Sequence, residues 1–194
     1  MNILMKAVNP TLPIFPLPVF LLPNGITRLR IFEPRYLKLV KIASTEQGFI
    51  ILLQSGEPEI TDIKWGSWVE IINFDKGADG VLEIDVKCKS LVSILSLEQD
   101  NQQLMFGHVR EISHWSQKAK HIKLNELSSS LEAVFNNDKM LNALYPEKPT
   151  NNASWVVARW LELLPINLDI KNTFINDYSY QEAESFVHDI ILNN

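Results

Sequence analysis

The sequence predicts an α+β fold, with short β-strands forming a barrel or packed sheets in front and a group of helices behind. Three observations predict it. Val81 to Lys89 alternates without a fault, placing Leu82, Ile84, Val86 and Cys88 on one face and Glu83, Asp85, Lys87 and Lys89 on the other. Several further short apolar runs are separated by turn residues at a spacing that suits a barrel or packed sheets and not a parallel sheet. After Trp115 the period changes, and Leu124, Leu127, Leu131, Val134 and Phe135 recur at helical spacing. A β-rich part over residues 1–115 is therefore expected to precede an α-helical part over residues 120–194.

The most distinctive stretch runs from 12 to 36, LPIFPLPVFLLPNGITRLRIFEPRY. Six of the ten prolines lie between Pro10 and Pro34, and no charge occurs between Ala7 and Thr27. Hydropathy alone would suggest a membrane span. Pro10, Pro13, Pro16, Pro18 and Pro23 exclude a spanning helix, because each lacks the N–H that a helix needs and costs about 3 kcal/mol in a helix interior. What remains is extended chain whose apolar side chains must be covered by the rest of the protein. Asn24-Gly25 supplies a turn. Ile26 to Phe32 alternates as a strand, and Glu33-Pro34 opens a helix to about residue 45, with proline where its missing N–H costs nothing.

Gly48 to Leu53 reads as a buried strand that Ser55-Gly56-Glu57-Pro58 breaks. Trp68 to Phe74 is β-rich, and Lys76 to Gly80 is a turn. Val81–Lys89, Val92–Leu97 and Leu104–Ile112 supply three more strands, the last two separated by a polar turn at Asp100-Asn101. In the helical part, Asn152 or Ser154 can cap a helix that reaches Leu164 and that Pro165 helps to end. Ser179-Tyr-Gln-Glu182 has the form of a capping box ahead of the apolar stripe Ala183, Phe186, Val187, Ile190 and Ile191.

Composition narrows the function. The chain has 194 residues, 46% hydrophobic and 21% charged, as in an ordinary soluble globule. The net charge is −5, and neither half has a basic excess: 11 basic and 13 acidic residues precede residue 116, and 7 and 10 follow. A phosphate backbone demands the opposite balance, so nucleic acid is not an expected partner. A single cysteine excludes an internal disulfide and fits a reducing compartment. Met1 to Lys6, followed by proline-broken chain, makes a poor signal peptide. The expectation is a cytoplasmic protein with no membrane partner.

The order of a Pro-rich apolar strand, a P-N-G turn, a strand, then F-E-P-R-Y opening a helix resembles the start of the Lon protease N-terminal (substrate-binding) domain. The likeness continues at Trp65-Gly66, at the Asp79-Gly80 hairpin, and at Trp155-Val-Val-Ala-Arg-Trp-Leu-Glu-Leu-Leu-Pro165, which looks like the helical part of small stand-alone Lon-domain proteins. The resemblance implies a PUA-like β-barrel with a C-terminal helical bundle. It also implies recognition of polypeptide without cleavage, since 194 residues leave no room for the ATPase and protease modules of a full-length Lon.

Catalytic signatures are lacking. There is no H-E-x-x-H, no C-x-x-C and no G-x-x-x-x-G-K-[ST] phosphate loop, so neither a cofactor nor a metal is expected. His108, His114 and His121 have no acidic partner at ligand spacing and read as surface or structural histidines. Cys88 shares a face with Leu82, Ile84 and Val86 and reads as a small buried hydrophobe.

Two constellations are candidate substrate contacts. Glu33, Arg35 and Tyr36 open the first helix; in Lon-like domains the corresponding arginine and aromatic mostly tie helix to barrel. On the 155–164 helix, Val156, Val157, Trp160, Leu161 and Leu164 form an apolar face, while Trp155, Arg159 and Glu162 cluster on the opposite one. A tryptophan on a nominally polar face needs a reason. Either the helix is covered on both sides, or the ring belongs to a binding surface. The expected function is a non-catalytic receptor for unfolded or partner polypeptide. The rivals are a PUA-like RNA-binding module and an enzyme whose pocket lies between barrel and bundle, lined by Trp155 and Arg159.

Overall fold

Glycine, proline and asparagine divide the apolar runs into short strands, and a computed structural model shows how they pair. It describes residues 9–45, 47–54, 65–115 and 124–192. Among these, the strands are β1 (Thr11–Leu17), β2 (Ile26–Ile31), β3 (Phe49–Leu53), β4 (Trp65–Lys76), β5 (Leu82–Gln99) and β6 (Met105–Ile112). Helix α1 (Pro34–Thr45) lies between β2 and β3. After β6 come α2 (Leu124–Asn137), α3 (Lys139–Leu144), α4 (Ala153–Leu163), α5 (Leu168–Asn172) and α6 (Tyr180–Leu192). The signal-peptide reading of Met1 to Lys6, the break at Ser55 to Pro58, and His121 lie outside the described residues.

The fold is mixed α and β. The strand order is β2-β5-β4-β3-β1-β6, and β5 also pairs with β6. Five strands thus close on themselves, and β2 pairs with the first part of β5, on the edge that β6 takes further along. All pairs are antiparallel except β1 with β3, where Ile14 to Leu17 run beside Ile50 to Leu53 in the same direction. A parallel pair needs a long crossover, and the turn, β2 and α1 between these strands provide it.

One strand is longer than the sequence expectation. Val81–Lys89 and Val92–Leu97 are a single 18-residue strand, β5. No glycine, proline or asparagine separates them, so nothing ends the strand at Ser90. It bends instead, through register shifts opposite Trp68/Val69 and Ile71/Asn73 on β4 and its own shift at Ile94/Ser96 against β6. The prolines of β1 lie inside a strand that has neighbours on both sides. Thr11 to Ile14 pair with β6 and Ile14 to Leu17 with β3, so Pro13 and Pro16 each face a partner on one side only.

The strands bury apolar side chains in two directions. Leu12, Ile14, Ile50, Leu52, Val92 and Val109 form a small cluster among β1, β3, β5 and β6. The alternate residues Phe15, Phe49, Ile51, Val69, Ile84, Val86 and Cys88 join a larger cluster with Leu39 of α1 and with Leu131, Phe135, Val156, Leu161, Ala183 and Val187 of the later helices. Helices α2, α4 and α6 pack on one another. Asn152 is the residue that caps α4, accepting the main-chain N–H of Trp155 at 3.1 Å. The Ser179 hydroxyl ahead of α6 accepts the indole N–H of Trp115 at 3.1 Å and donates to the Asn176 carbonyl at 2.8 Å. Among the described residues no helix is long and apolar enough to cross a membrane.

Candidate functional site

The strand β2 ends in Ile31-Phe32, and Glu33-Pro34 turns the chain directly into α1, whose first turn has the main-chain N–H groups of Tyr36 and Leu37 bonded to the Glu33 carbonyl at 3.0 Å. This junction projects Phe32, Glu33, Arg35 and Tyr36 beside β1. The Tyr36 ring stacks on Phe15 with centroids 3.9 Å apart and planes 24° from parallel. Arg35 lies over the tyrosine ring, 4.7 Å from its centroid, and its Nε and Nη2 donate to Glu33 Oε2 at 2.9 and 2.8 Å. Burial pushes the Tyr36 hydroxyl above its ordinary range.

These residues line an open cleft of about 470 Å³ together with Ile14, Pro16 and Leu17 of β1, Arg30 of β2, and Gln54, Gln103 and Met105. Its floor is aromatic and aliphatic, and its rim carries the Glu33–Arg35 pair. Phe32 stands at its edge 72% exposed. An apolar floor under a few fixed polar groups suits a large apolar side chain on a chain that passes over it.

Arg30, Phe32 and Met105 come from parts of the sequence not singled out as site residues. One signal was legible. Leu29 and Ile31 of the β2 alternation point inward, so Phe32 falls on the parity of Arg28 and Arg30, where an aromatic has no core to enter. The contributions of β1 and of Met105 depend on strand pairing and left no local mark.

The second constellation lies in the interior. Trp155 is 5% exposed and Arg159 1%. Trp155 stacks near Phe135 and meets Tyr145 edge-on, with both centroids at 6.0 Å, while Trp160 on the other side of α4 donates its indole N–H to the Leu127 carbonyl at 3.0 Å. The helix is therefore covered on both sides. Arg159 Nε and Nη2 donate to the two carboxylate oxygens of Glu162, each at 2.7 Å, and Nη2 also reaches the carbonyls of Leu22 and Pro23 at 3.3 Å. Glu162 Oε1 accepts the main-chain N–H of Leu22 at 2.7 Å. Burial pushes the Glu162 carboxyl upward, and the Arg159 guanidinium opposes that. Trp155 also borders a second hollow of about 460 Å³ with Ile26, Ile72 and Tyr145.

The remaining sequence candidates have ordinary surroundings. His108 lies 3.4 Å from the Thr11 hydroxyl. His114 stacks on Trp115 and contacts the Phe174 carbonyl at 3.3 Å. Cys88 is buried, which pushes its thiol up and away from nucleophile character. Among the described residues no three His, Cys, Asp or Glu side chains gather as metal ligands.

The family model described as the ATP-dependent protease La (LON) substrate-binding domain matches residues 11–180. The chain belongs to that family. Among solved structures, the Lon N-terminal domain protein from Xanthomonas campestris superposes with a TM-score of 0.66 at 26% identity, covering 89% of this chain and 95% of its own. The N-terminal domain of the Mycobacterium avium complex Lon protease superposes with a TM-score of 0.60 at 10% identity, covering 93% and 97%, and shares the fold. No curated protein matches the sequence.

Proposed function

We propose that this chain is a non-catalytic receptor for unfolded or partner polypeptide, and that the cleft of Phe15, Phe32, Glu33, Arg35 and Tyr36 is where it holds an apolar side chain of that polypeptide. Membership of a substrate-binding family supports a binding role in general. The observation that carries the finer reading is Phe32: a phenylalanine that the described residues leave 72% exposed, at the edge of a cleft with an apolar floor, offers surface that a bound polypeptide can cover. In this reading the closed strands are a PUA-like barrel and residues 120–194 a helical subdomain. Trp155, Arg159 and Glu162 hold that subdomain against the barrel and do not touch the substrate. The protein would work in the cytoplasm, in protein quality control beside a protease that supplies the cleavage.

A transient contact of this size has micromolar affinity, near 8 kcal/mol. The test is a titration of a fluorescently labelled, permanently unfolded model polypeptide with wild type and Phe32→Ala. The expected result is micromolar binding that weakens at least fivefold in the variant. Absence of binding by the wild type up to hundreds of micromolar would remove the receptor reading.

A further inference from the structure

We infer that the polypeptide is held as an added β-strand along the outer edge of β2, in a segment that alternates apolar and basic residues. The inference rests on the receptor reading above and specifies how the main chain of the substrate is gripped.

Strand β2 pairs with β5 on one side and, among the described residues, with no strand on the other. The direction of its main-chain groups follows from the register. Cys88 N–H donates to the Gly25 carbonyl at 2.9 Å, and Ile26 to Ile31 run opposite Lys87 to Leu82. In an antiparallel ladder bonded and non-bonded pairs alternate. Thr27, Leu29 and Ile31 therefore turn their N–H and C=O groups to β5, and Ile26, Arg28 and Arg30 turn theirs outward.

One outward residue already shows what such an edge accepts. The Tyr145 hydroxyl accepts the Ile26 N–H at 2.7 Å and donates to the Ile26 carbonyl at 3.1 Å, filling the place of a neighbouring strand. Beyond it, the outward groups of Arg28 and Arg30 have no hydrogen-bond partner among the described residues. This open edge leads into the cleft, because Arg30 and Phe32 line it. A strand added beside Arg28 and Arg30 would continue over Phe15 and Tyr36.

The two faces of β2 set the side chains such a strand would carry. Leu29 and Ile31 are buried on one face. On the other, Arg28 and Arg30 are paired with Asp75, Asp79, Glu83 and Asp85, four carboxylates to two guanidiniums. Apolar residues suit the first face and lysine or arginine the second. A second copy of this chain is a poor occupant, since pairing two β2 edges would set two such acid-rich networks side by side.

The probe is a labelled heptapeptide of alternating leucine and lysine, titrated by fluorescence anisotropy. Versions with backbone N-methyl groups on the odd or on the even residues remove donors from one edge of the peptide at a time. One parity is expected to lose at least tenfold in affinity and the other less than twofold. Equal effects of both parities would overturn the added strand. On the protein, Arg30→Pro removes the side chain and one outward N–H and leaves the main-chain bonds to β5 intact, whereas Arg30→Ala removes only the side chain. Arg30→Pro should bind at least tenfold more weakly than Arg30→Ala at an unchanged melting temperature; equal affinities would overturn the inference. A wild type that sediments as a dimer and dissociates on Arg30→Pro would also overturn it, by giving the edge to a second copy. If an unfolded polypeptide binds in a Phe32-dependent way but no heptapeptide does, the edge inference fails and the receptor reading stands. If neither binds, the receptor reading itself has failed.

Discussion

Glu162 accepts the main-chain N–H of Leu22 across 140 residues of sequence, at 2.7 Å, while both its carboxylate oxygens accept from Arg159. The Pro-rich opening segment and helix α4 are thereby held by one buried carboxylate. Removing one partner of such a pair leaves the other charge buried and uncompensated, which costs about 3–5 kcal/mol. Both Arg159→Ala and Glu162→Ala should lower stability by that order in urea unfolding. Gly25→Ala should also destabilise, because a Cβ there would lie 2.4 Å from Glu162 Oε1 and 2.9 Å from the Leu22 carbonyl. Unfolding midpoints equal to wild type for these variants would show that the pair does not hold the segment.

Trp155 and Phe32 should respond in opposite ways. Trp155 is enclosed by Phe135 and Tyr145, so Trp155→Ala is expected to cost about 3–5 kcal/mol of stability and to leave binding by the folded fraction unchanged. Phe32→Ala should change stability by no more than about 0.5 kcal/mol and weaken polypeptide binding. Measuring melting and titration curves on both variants checks the pair. A stable Trp155→Ala that loses binding would move the contact surface to α4.

Stability should fall with acid through His114. Burial beside Trp115 holds its imidazole down at about 4, against an ordinary value near 6.5, with the Phe174 carbonyl pulling the other way. The unfolded chain therefore binds the proton first as pH falls. The stabilising contribution is complete above about pH 6.5 and is lost progressively toward pH 4, with a slope approaching about 1.4 kcal/mol per pH unit. Denaturant unfolding at several pH values should show this slope in wild type and a shallower one in His114→Gln. Identical slopes would assign the acid sensitivity to other groups.

Removing the chain through Leu17 should abolish the soluble fold. Strand β1 pairs with both β3 and β6, so its loss opens the ring of strands and uncovers Leu12, Ile14 and Phe15 contacts in both apolar clusters. Each such side chain contributes about 1.5–3 kcal/mol, against about 5–15 kcal/mol for a whole domain. Expression of the truncated chain with an unchanged melting temperature would contradict this.

Much of the architecture was legible in the sequence because local chemistry dictates it. The prolines forbid a helix between Pro10 and Pro23, Asn24-Gly25 turns the chain, and Glu33-Pro34 starts α1 at Pro34. The change of period after Trp115 separates strands from helices. The F-E-P-R-Y junction marked Glu33, Arg35 and Tyr36, three of the residues that line the 470 Å³ cleft. Only the tertiary structure decided the rest. That β1 lies parallel to β3, that β5 runs unbroken through Ser90, and that Met105 and Phe15 meet Phe32 at one cleft are consequences of pairing between distant segments, which no local period encodes. The same holds for the face of Trp155, Arg159 and Glu162. Helical spacing puts these three together on either reading, but whether they meet solvent or protein depends on what packs over them. Here the Pro-rich segment does: the Leu22 N–H donates to Glu162, and the carbonyls of Leu22 and Pro23 accept from Arg159 Nη2.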